Sequence, residues 1–396
     1  MLYVSSYAFL LINICKQVEF LNNALIFELN LFCTMIFKKQ QEINKRYITN
    51  LHLEHFLKTL NNDVFTIKVA GKSVLEKNIY RIDFGRGKYK VLLWSQMHGN
   101  ETTTTRAIFN IMKKINSGEF ADWLSYFSFT FIPILNPDGA EAFTRVNANK
   151  IDLNRDSKEL TQPEAQILRA VYNQQKPDLA LNMHDQRSIF SAGITQNPAT
   201  LSFLAPSYND NREINDVRTY AMKLIAMMRE GLKEATTLNI GRFDDSFNVN
   251  CIGDMFTHLG TPTILFEAGF ATNDYQRQTA VNWVEKSLEC LFYGIIKEKY
   301  QNFSIENYMD IPENQKHFVD LIIYNFSTTN NQFKDLKQIP IIFKEFINKN
   351  ELILQPTIDF ESAPQYQYAH AVLDAKNQLI NSENDVLKLL KNITIS

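Results

Sequence analysis

The chain has 396 residues, with 41 lysines and arginines against 43 aspartates and glutamates, so its formal net charge is −2. Hydrophobic residues make up 45% and charged residues 21%, which excludes a chain that is disordered overall and allows a substantial core. The balanced charge argues against binding through a broad phosphate-directed field, so no nucleic-acid partner is expected; a local basic patch is the alternative. The four cysteines lack CxxC spacing, which disfavours a cysteine zinc site, a redox motif or a disulfide scaffold and fits a reducing, cytoplasmic location.

Residues 1–36 form an apolar N-terminal extension that polar residues such as Lys16, Glu19 and Glu28 interrupt. No run approaches the ~20 residues that a membrane-spanning helix needs, so stable membrane insertion is not expected. Residues 1–10 contain no lysine or arginine, which disfavours a secretory signal. Because a charged stretch follows Met35, we interpret residues 1–34 as an upstream extension of the gene model; an ordinary apolar helix is the alternative.

Strand and helix patterns then alternate along the chain. Residues 37–61 predict one or two short helices, and residues 65–69 and 79–84 alternate as strands do. Apolar runs typical of central strands occupy residues 91–97, 127–135, 179–183 and 263–266, and helical stretches occupy residues 103–115, 163–174, 216–236 and 275–300. The alternation predicts an α/β fold, with a mixed and largely parallel sheet flanked by helices.

The pattern changes after residue 300. Short apolar runs at residues 321–326, 340–346, 351–354 and 368–373 are separated by turns rich in asparagine and lysine, and a last helix is predicted near residues 383–391. They predict a small C-terminal module that is mostly antiparallel β or α+β. We therefore divide the chain into the extension (1–36), a main domain with N-terminal helices (37–303) and this module (304–396).

Polar residues directly follow the central strands, at the edge where the chemistry of such sheets usually lies. His98, Asn136, His184 and Glu267 each stand at the end of one apolar run. His98 and Glu101 are spaced so that both can reach one metal ion. With His184 they supply the two-histidine, one-carboxylate set of catalytic zinc hydrolases, which leaves a position for water. For His184 alone, an ordinary core or surface histidine is the alternative.

Three charged residues complete the list of candidates. Glu267 follows four apolar residues, and a buried carboxylate requires a partner or a chemical role, so it is a candidate general base. A salt bridge or a helix-entry charge is the alternative. Arg145 and Arg155 lie in a polar loop, where a guanidinium suits an anionic transition-state oxygen or a substrate carboxylate. Solvated loop arginines are the alternative there.

Five motifs occur in a fixed order between residues 98 and 267. They are His98-Gly99-Asn100-Glu101, Asn136-Pro137-Asp138-Gly139, Asp152-Leu153-Asn154-Arg155, His184 and Phe266-Glu267. In this order they resemble the zinc metallocarboxypeptidases, the carboxypeptidase A-like or M14 peptidases. The resemblance extends to roughly residues 60–300.

The resemblance implies a role at each matching position. One zinc ion per chain would be bound by His98, Glu101 and His184. Glu267 would be the general base, and Arg145 would polarise the scissile carbonyl and stabilise the oxyanion. Asn154 and Arg155 would hold the terminal carboxylate of a peptide substrate.

The chain departs from the digestive members of this family at two places. Asn100 stands where those members usually have an arginine, and residues 244–248 contain no counterpart of their mobile tyrosine. The first departure removes an auxiliary substrate contact. The second argues against a preference for a C-terminal carboxylate and leaves the zinc chemistry intact.

Three functions are consistent with these residues. The first is a zinc-dependent carboxypeptidase that removes C-terminal residues from peptides. The second is a zinc amidase or deacylase that acts on N-acyl amino acids or cell-wall peptides, since family and fold do not settle the substrate. The third is a binding protein that has lost catalysis, which the presence of all three ligands and the base disfavours. The sequence indicates neither an oligomeric state nor a role for residues 304–396.

Overall fold

The apolar runs form the strands of one large mixed sheet in the computed structural model of the chain, which describes residues 45–233, 238–272, 274–360 and 366–390. The predicted extension, residues 1–36, lies outside the described residues. The strands of the main sheet are β1 (Phe65–Lys72), β2 (Asn78–Gly85), β3 (Tyr89–Ser95), β4 (Phe127–Ile132), β5 (Leu179–Asp185), β7 (Leu201–Leu204), β8 (Ile240–Arg242) and β9 (Thr263–Ala268), and the short strand β6 (Phe190–Ala192) lies apart from them.

The strand order within the described part of the main sheet is β1-β2-β4-β3-β5-β9-β7-β8. Strands β4, β3, β5 and β9 run parallel, whereas β1, β2 and β7 pair antiparallel with their neighbours. Parallel strands present their carboxyl ends at one edge of a sheet, which brings the segments after β3, β4, β5 and β9 together. This edge carries the candidate site.

Helices cover the faces of the sheet. They are α1 (Asn50–Leu57), α2 (Thr103–Asn116), α3 (Ala121–Tyr126), α4 (Pro137–Ala142), α5 (Pro163–Gln175), α6 (Asp216–Gly231), α7 (Ile252–His258), α8 (Gln278–Ile296) and α9 (Ile305–Met309), with 3₁₀ turns at Leu153–Arg155 and Lys299–Asn302. Local sequence explains several helix starts: proline stands in the first turn of α4 and α5, and the Asn215 side chain accepts a hydrogen bond from Arg218 N at the start of α6. Apolar side chains between the layers, such as Trp94, Tyr172 and Phe256, form part of the core.

The C-terminal residues form a second, four-stranded sheet. It contains β11 (Phe318–Tyr324), β12 (Ile339–Asn348), β13 (Glu351–Ile358) and β14 (Tyr368–Asp374), in the order β13-β12-β11-β14, and is accompanied by α10 (Asn331–Lys334) and α11 (Glu383–Leu390). Two of its strand pairs are antiparallel and the β11/β14 pair is parallel. The strand β10 (Asn314–Lys316) pairs instead with β6 of the main domain.

The predicted fold class is confirmed: a mixed α/β sheet flanked by helices, with a separate and mostly antiparallel C-terminal sheet. The domain boundaries stay a prediction. The observed helices are shorter than two of the predicted stretches, because α6 ends at Gly231 and α8 spans Gln278–Ile296. Asn136-Pro137, interpreted as a turn, caps and opens helix α4, since the asparagine side chain accepts a hydrogen bond from Gly139 N.

Among the described residues, the helices are too short or too polar to cross a lipid bilayer.

Candidate metal centre and active site

The loop that follows β3 carries His98 and Glu101 to the edge of the sheet. Gly99 within it packs so closely on α4 that a Cβ atom would lie 1.9 Å from the backbone carbon of Gly139, so only glycine fits there. The Asn136 side chain donates to the Met97 carbonyl oxygen at 3.2 Å. Two of the sequence motifs therefore support one another: the asparagine-proline turn fixes the loop that positions His98.

His98, Glu101 and His184 converge on one point. Their ligand atoms lie within 4.8 Å of one another. His98 Nδ1 is 2.8 Å from Glu101 Oε1, His184 Nδ1 is 2.8 Å from Glu101 Oε2, and the two Nδ1 atoms are 3.1 Å apart. Both histidines are almost fully buried. Buried imidazole and carboxylate groups that face a common centre form a donor set for a metal ion.

His98 is oriented by a carboxylate on its other side. Its Nε2 atom donates to Asp152 Oδ1 at 2.9 Å, so the neutral ring has its lone pair on Nδ1, which faces Glu101 and His184. A carboxylate that receives the second N–H of a ligating histidine is a common feature of zinc sites. The three residues therefore fit a zinc ion, with two nitrogens and one carboxylate as ligands and an open position for water.

Asp152 and Arg145 link this cluster to the polar loop. Arg145 Nε donates to Asp152 Oδ2 at 3.0 Å, and Arg145 Nη1 lies 3.4 Å from Glu101 Oε1. Burial alone would raise the pKa of Asp152, but the hydrogen bond from His98 and the charge of Arg145 outweigh it and hold the pKa below its usual range. In the same way, the imidazoles of His98 and His184 overcome burial and lower the pKa of Glu101. Both carboxylates are therefore ionised at neutral pH.

Glu267 lies beside His184, because the two residues are register partners in the parallel strands β5 and β9. Burial raises the pKa of Glu267 well above its usual range, and the carboxylates of Glu101 and Asp185 raise it further against the charge of Arg145. A carboxyl group with a raised pKa is suited to take up and release a proton near neutral pH.

Asn154 and Arg155 occupy a 3₁₀ turn next to the cluster, where their contacts are to the start of α7. Asn154 Oδ1 accepts a hydrogen bond from Ile252 N at 2.9 Å. The exposed Arg155 donates from Nη1 to the Asn154 carbonyl oxygen and lies 3.1 Å from Cys251 Sγ. The fold thus brings both residues to the rim of the site.

Sequence reasoning assigned no role to Asp152 or Asp185, although both contact the site. Asp185 Oδ2 accepts hydrogen bonds from Thr103 N at 2.9 Å and Thr103 Oγ1 at 2.6 Å, which fixes the start of α2 behind Glu101. Asp152 begins the motif Asp152-Leu153-Asn154-Arg155, and Asp185 follows His184 in the sequence. The sequence therefore places both next to candidate residues, but their contacts are with residues far away in the chain.

The comparisons with known proteins agree with this geometry. Residues 53–179 match the family model described as zinc carboxypeptidase. A protein named "Probable carboxypeptidase 2" from Arthroderma benhamiae is 27% identical over 114 residues, and its namesake from Trichophyton verrucosum is 27% identical over 113 residues. Each match covers 28% of this chain and spans 21% of the relative's length.

Two solved structures have a similar fold. They are a metallo-carboxypeptidase from Burkholderia cenocepacia and one from Pseudomonas aeruginosa, each with a TM-score of 0.51. Their identities are 15% and 16%, and each match covers 63% of this chain and 70% of the other. These two structures share the fold of the chain, and residues 53–179 are similar to the zinc carboxypeptidase family. The buried cluster of His98, Glu101 and His184 is consistent with that similarity.

Proposed function

We propose that this chain is a zinc-dependent carboxypeptidase, which hydrolyses the C-terminal peptide bond with Glu267 as the general base. The observation that carries the proposal is the convergence of His98, Glu101 and His184 at the strand edge where Glu267 pairs with His184. A metal donor set beside a carboxyl group of raised pKa is what amide hydrolysis by an activated water requires.

Zinc would be bound by His98, Glu101 and His184, one ion per chain, and when bound it polarises a carbonyl and lowers the pKa of water. The carboxylate of Glu267 would take the proton of the attacking water and deliver it to the nitrogen of the departing amine. Asp152 would hold the His98 ring in the tautomer that leaves Nδ1 free.

Arg145 would stabilise the negative charge that develops on the scissile oxygen. Its guanidinium already reaches Glu101, and a fixed cation at this place favours the transition state over the neutral amide. Asn154 and Arg155, at the rim of the site, would receive the substrate's terminal carboxylate, since a guanidinium binds such a group through two parallel hydrogen bonds.

A zinc amidase that acts on N-acyl amino acids is the second candidate. The uncharged Asn100, next to Glu101 where digestive relatives usually have an arginine, favours it, because an extended peptide would lose one charged contact there. The catalytic groups and their roles would be the same, and only the acyl portion of the substrate would differ.

Mass spectrometry of a mixed peptide pool tests the proposal. The pool is incubated with zinc-loaded protein and, in parallel, with the Glu267→Gln variant. We expect peptides to lose single residues from their C-termini in the incubation with the parent protein and not in the incubation with the variant. A pool that stays intact, together with release of free amino acids from N-acyl amino acids, would replace the carboxypeptidase with the amidase.

A further inference from the structure

A cavity of about 520 Å³ adjoins the metal centre and lies between the main domain and the C-terminal sheet. Asn100 and Glu101 line one side of it, together with the segment after His184, and strands β12 and β13 line the other. Its walls comprise Arg46, Asn100, Glu101, residues 185–189, Arg277, residues 342–345 and residues 357–359. This volume is in the range of pockets that bind small organic ligands.

The C-terminal wall of the cavity is fastened to the main domain by specific contacts. Arg46 and Glu345 form a bidentate ion pair at 2.6 and 2.7 Å. His370 of β14 donates from Nε2 to the Ser188 carbonyl oxygen at 2.7 Å. The ring of Phe343 packs edge-on against Tyr275, which follows the Glu267 strand. The C-terminal sheet is therefore a built part of the cavity.

The carboxylates in the cavity walls all have partners. Glu345 pairs with Arg46, Glu101 faces the imidazoles, Asp185 accepts two hydrogen bonds, and Asp359 accepts one from a tyrosine hydroxyl at 2.6 Å. Glu345 is therefore paired with a cation, and Asp185 and Asp359 are held by neutral hydrogen-bond donors.

Two cations of the same walls, Arg187 and Lys344, form no ion pair among the described residues. Both are exposed; Arg187 follows β5 and Lys344 belongs to β12. The buried Arg277 donates to the backbone carbonyls of Ala268 and Gly269, and its charge also acts on Asp185 and Glu345. Cations on both sides of a cavity, without acidic partners, favour an anionic occupant.

The lining of the cavity does not include the residues proposed to bind the substrate's terminal carboxylate. It shares Glu101 with the centre but includes none of Arg145, Asn154 and Arg155. If the C-terminal residue of a substrate lies at Asn154 and Arg155, the part of the substrate on the acyl side of the scissile bond extends toward the cavity.

We propose that this cavity binds the acyl portion of the substrate and that Arg187 and Lys344 select a carboxylate there. The inference rests on the proposed function. The carboxylate has two possible sources: the side chain of an acidic residue that precedes the scissile bond of a peptide, or the end of a dicarboxylic acyl group on an amino acid. In either case the C-terminal module determines specificity.

Matched substrates test the proposal with parent protein, Arg187→Ala, Lys344→Ala and Lys344→Glu. The peptides are Ac-Ala-Glu-Phe, Ac-Ala-Gln-Phe and Ac-Ala-Lys-Phe, and the small substrates are N-succinyl-Phe and N-butanoyl-Phe. The quantity compared is the ratio of kcat/KM for the acidic substrate to that for its neutral analogue. Lys337→Glu is the control, because it makes the same charge change at an exposed site of the module that does not line the cavity.

We expect the parent to prefer the acidic member of one pair, and the pair in which the preference occurs identifies the source of the carboxylate. Each alanine variant should lower the ratio on the order of threefold, and Lys344→Glu about tenfold, as partly exposed ion pairs do. Lys337→Glu should leave the ratio unchanged. A parent without preference, or a preference that all variants retain, would overturn the proposal.

A binding measurement separates this proposal from the proposed function. Affinities of the same compounds for the zinc-loaded Glu267→Gln protein are measured by calorimetry, which needs no turnover. If the parent hydrolyses nothing, the proposed function fails, yet tighter binding of an acidic compound that Lys344→Glu weakens would still support the cavity. Equal binding of acidic and neutral compounds would overturn it.

Discussion

His184 and Glu267 are opposite one another in adjacent parallel strands, one a candidate metal ligand and the other the candidate base. The β-sheet register holds their Cα positions together, so neither depends on a flexible loop for its place. Such placement on rigid elements gives a catalytic group the positional accuracy that proton transfer needs. Because one residue is the candidate metal ligand and the other the candidate base, separate substitutions can test metal binding and proton transfer one at a time.

Replacing Glu267 by Gln should remove turnover and retain the metal. Glutamine has the same shape but cannot accept the proton of water, so kcat should fall by about 100- to 10,000-fold. Zinc content by plasma mass spectrometry should stay at one ion per chain, because the ligands are unchanged. Glu119→Gln, at an exposed site after α2, is the control. Activity close to that of the parent would remove Glu267 from the role of base.

Replacing His184 by Ala should remove both metal and activity. The substitution deletes one of the two nitrogens that face the centre, and metal affinity depends on the complete donor set. Metal content after dialysis against a weak chelator is the measurement, with the exposed His258→Ala as the control. Full zinc content in the His184 variant would contradict its assignment as a ligand.

Replacing Asp152 by Asn should weaken metal binding without abolishing it. The amide keeps the shape of the side chain but loses the charge that orients and polarises the His98 ring. Loss of such a partner typically lowers metal affinity by about 10- to 100-fold. Competition with a fluorescent zinc chelator measures the change, and the exposed Asp122→Asn serves as the control. An affinity equal to that of the parent would show that Asp152 does not support the site.

Stability should fall between about pH 4 and pH 7 through Asp254. Burial raises the pKa of this side chain from 3.8 to about 7, so the folded state keeps a proton that the unfolded state has already lost. The contribution of Asp254 to stability is therefore complete below its pKa in the unfolded state. It is lost as the pH rises to its pKa in the folded state, by at most about 1.4 kcal/mol per pH unit.

The Asp254→Asn variant isolates this contribution. Urea unfolding at pH 5, 6, 7 and 8 gives the free energy of unfolding of both proteins. The difference between variant and parent should grow from pH 5 to pH 7 and then level off, since asparagine does not titrate. A difference that is constant with pH would exclude a raised pKa for Asp254.

Replacing Glu345 by Gln should destabilise the protein by about 3 kcal/mol, because it leaves the buried Arg46 without its charge partner. Equilibrium unfolding in urea measures the loss. Glu351→Gln, an exposed site at the start of β13, should be nearly neutral. The double variant Arg46→Met, Glu345→Leu should recover part of the loss, since no charge then remains unpaired; a double variant as unstable as the single one would contradict this account.

Several elements were predictable because their patterns are local. The apolar runs of β3, β4, β5 and β9 end at polar residues within the chain itself, so both the strands and the candidates after them could be found from periodicity. The sequence pattern did not predict the short helix α7, because a helix of one or two turns is too short to show a clear hydrophobic period. At Asn136-Pro137 a local pattern interpreted as a turn instead begins helix α4, because asparagine caps a helix and proline fits its first turn.

The amino-acid sequence by itself determined the order of the motifs along the chain, the identity of the metal and base candidates, and the family resemblance, because each depends on residue type and short spacing. Only the tertiary structure decided that Asp152 supports His98 and that the C-terminal sheet forms a wall beside Glu101. These contacts join residues far apart in the chain. They arise when complete layers of the fold pack together, and the residue pattern of a single segment does not predict that packing.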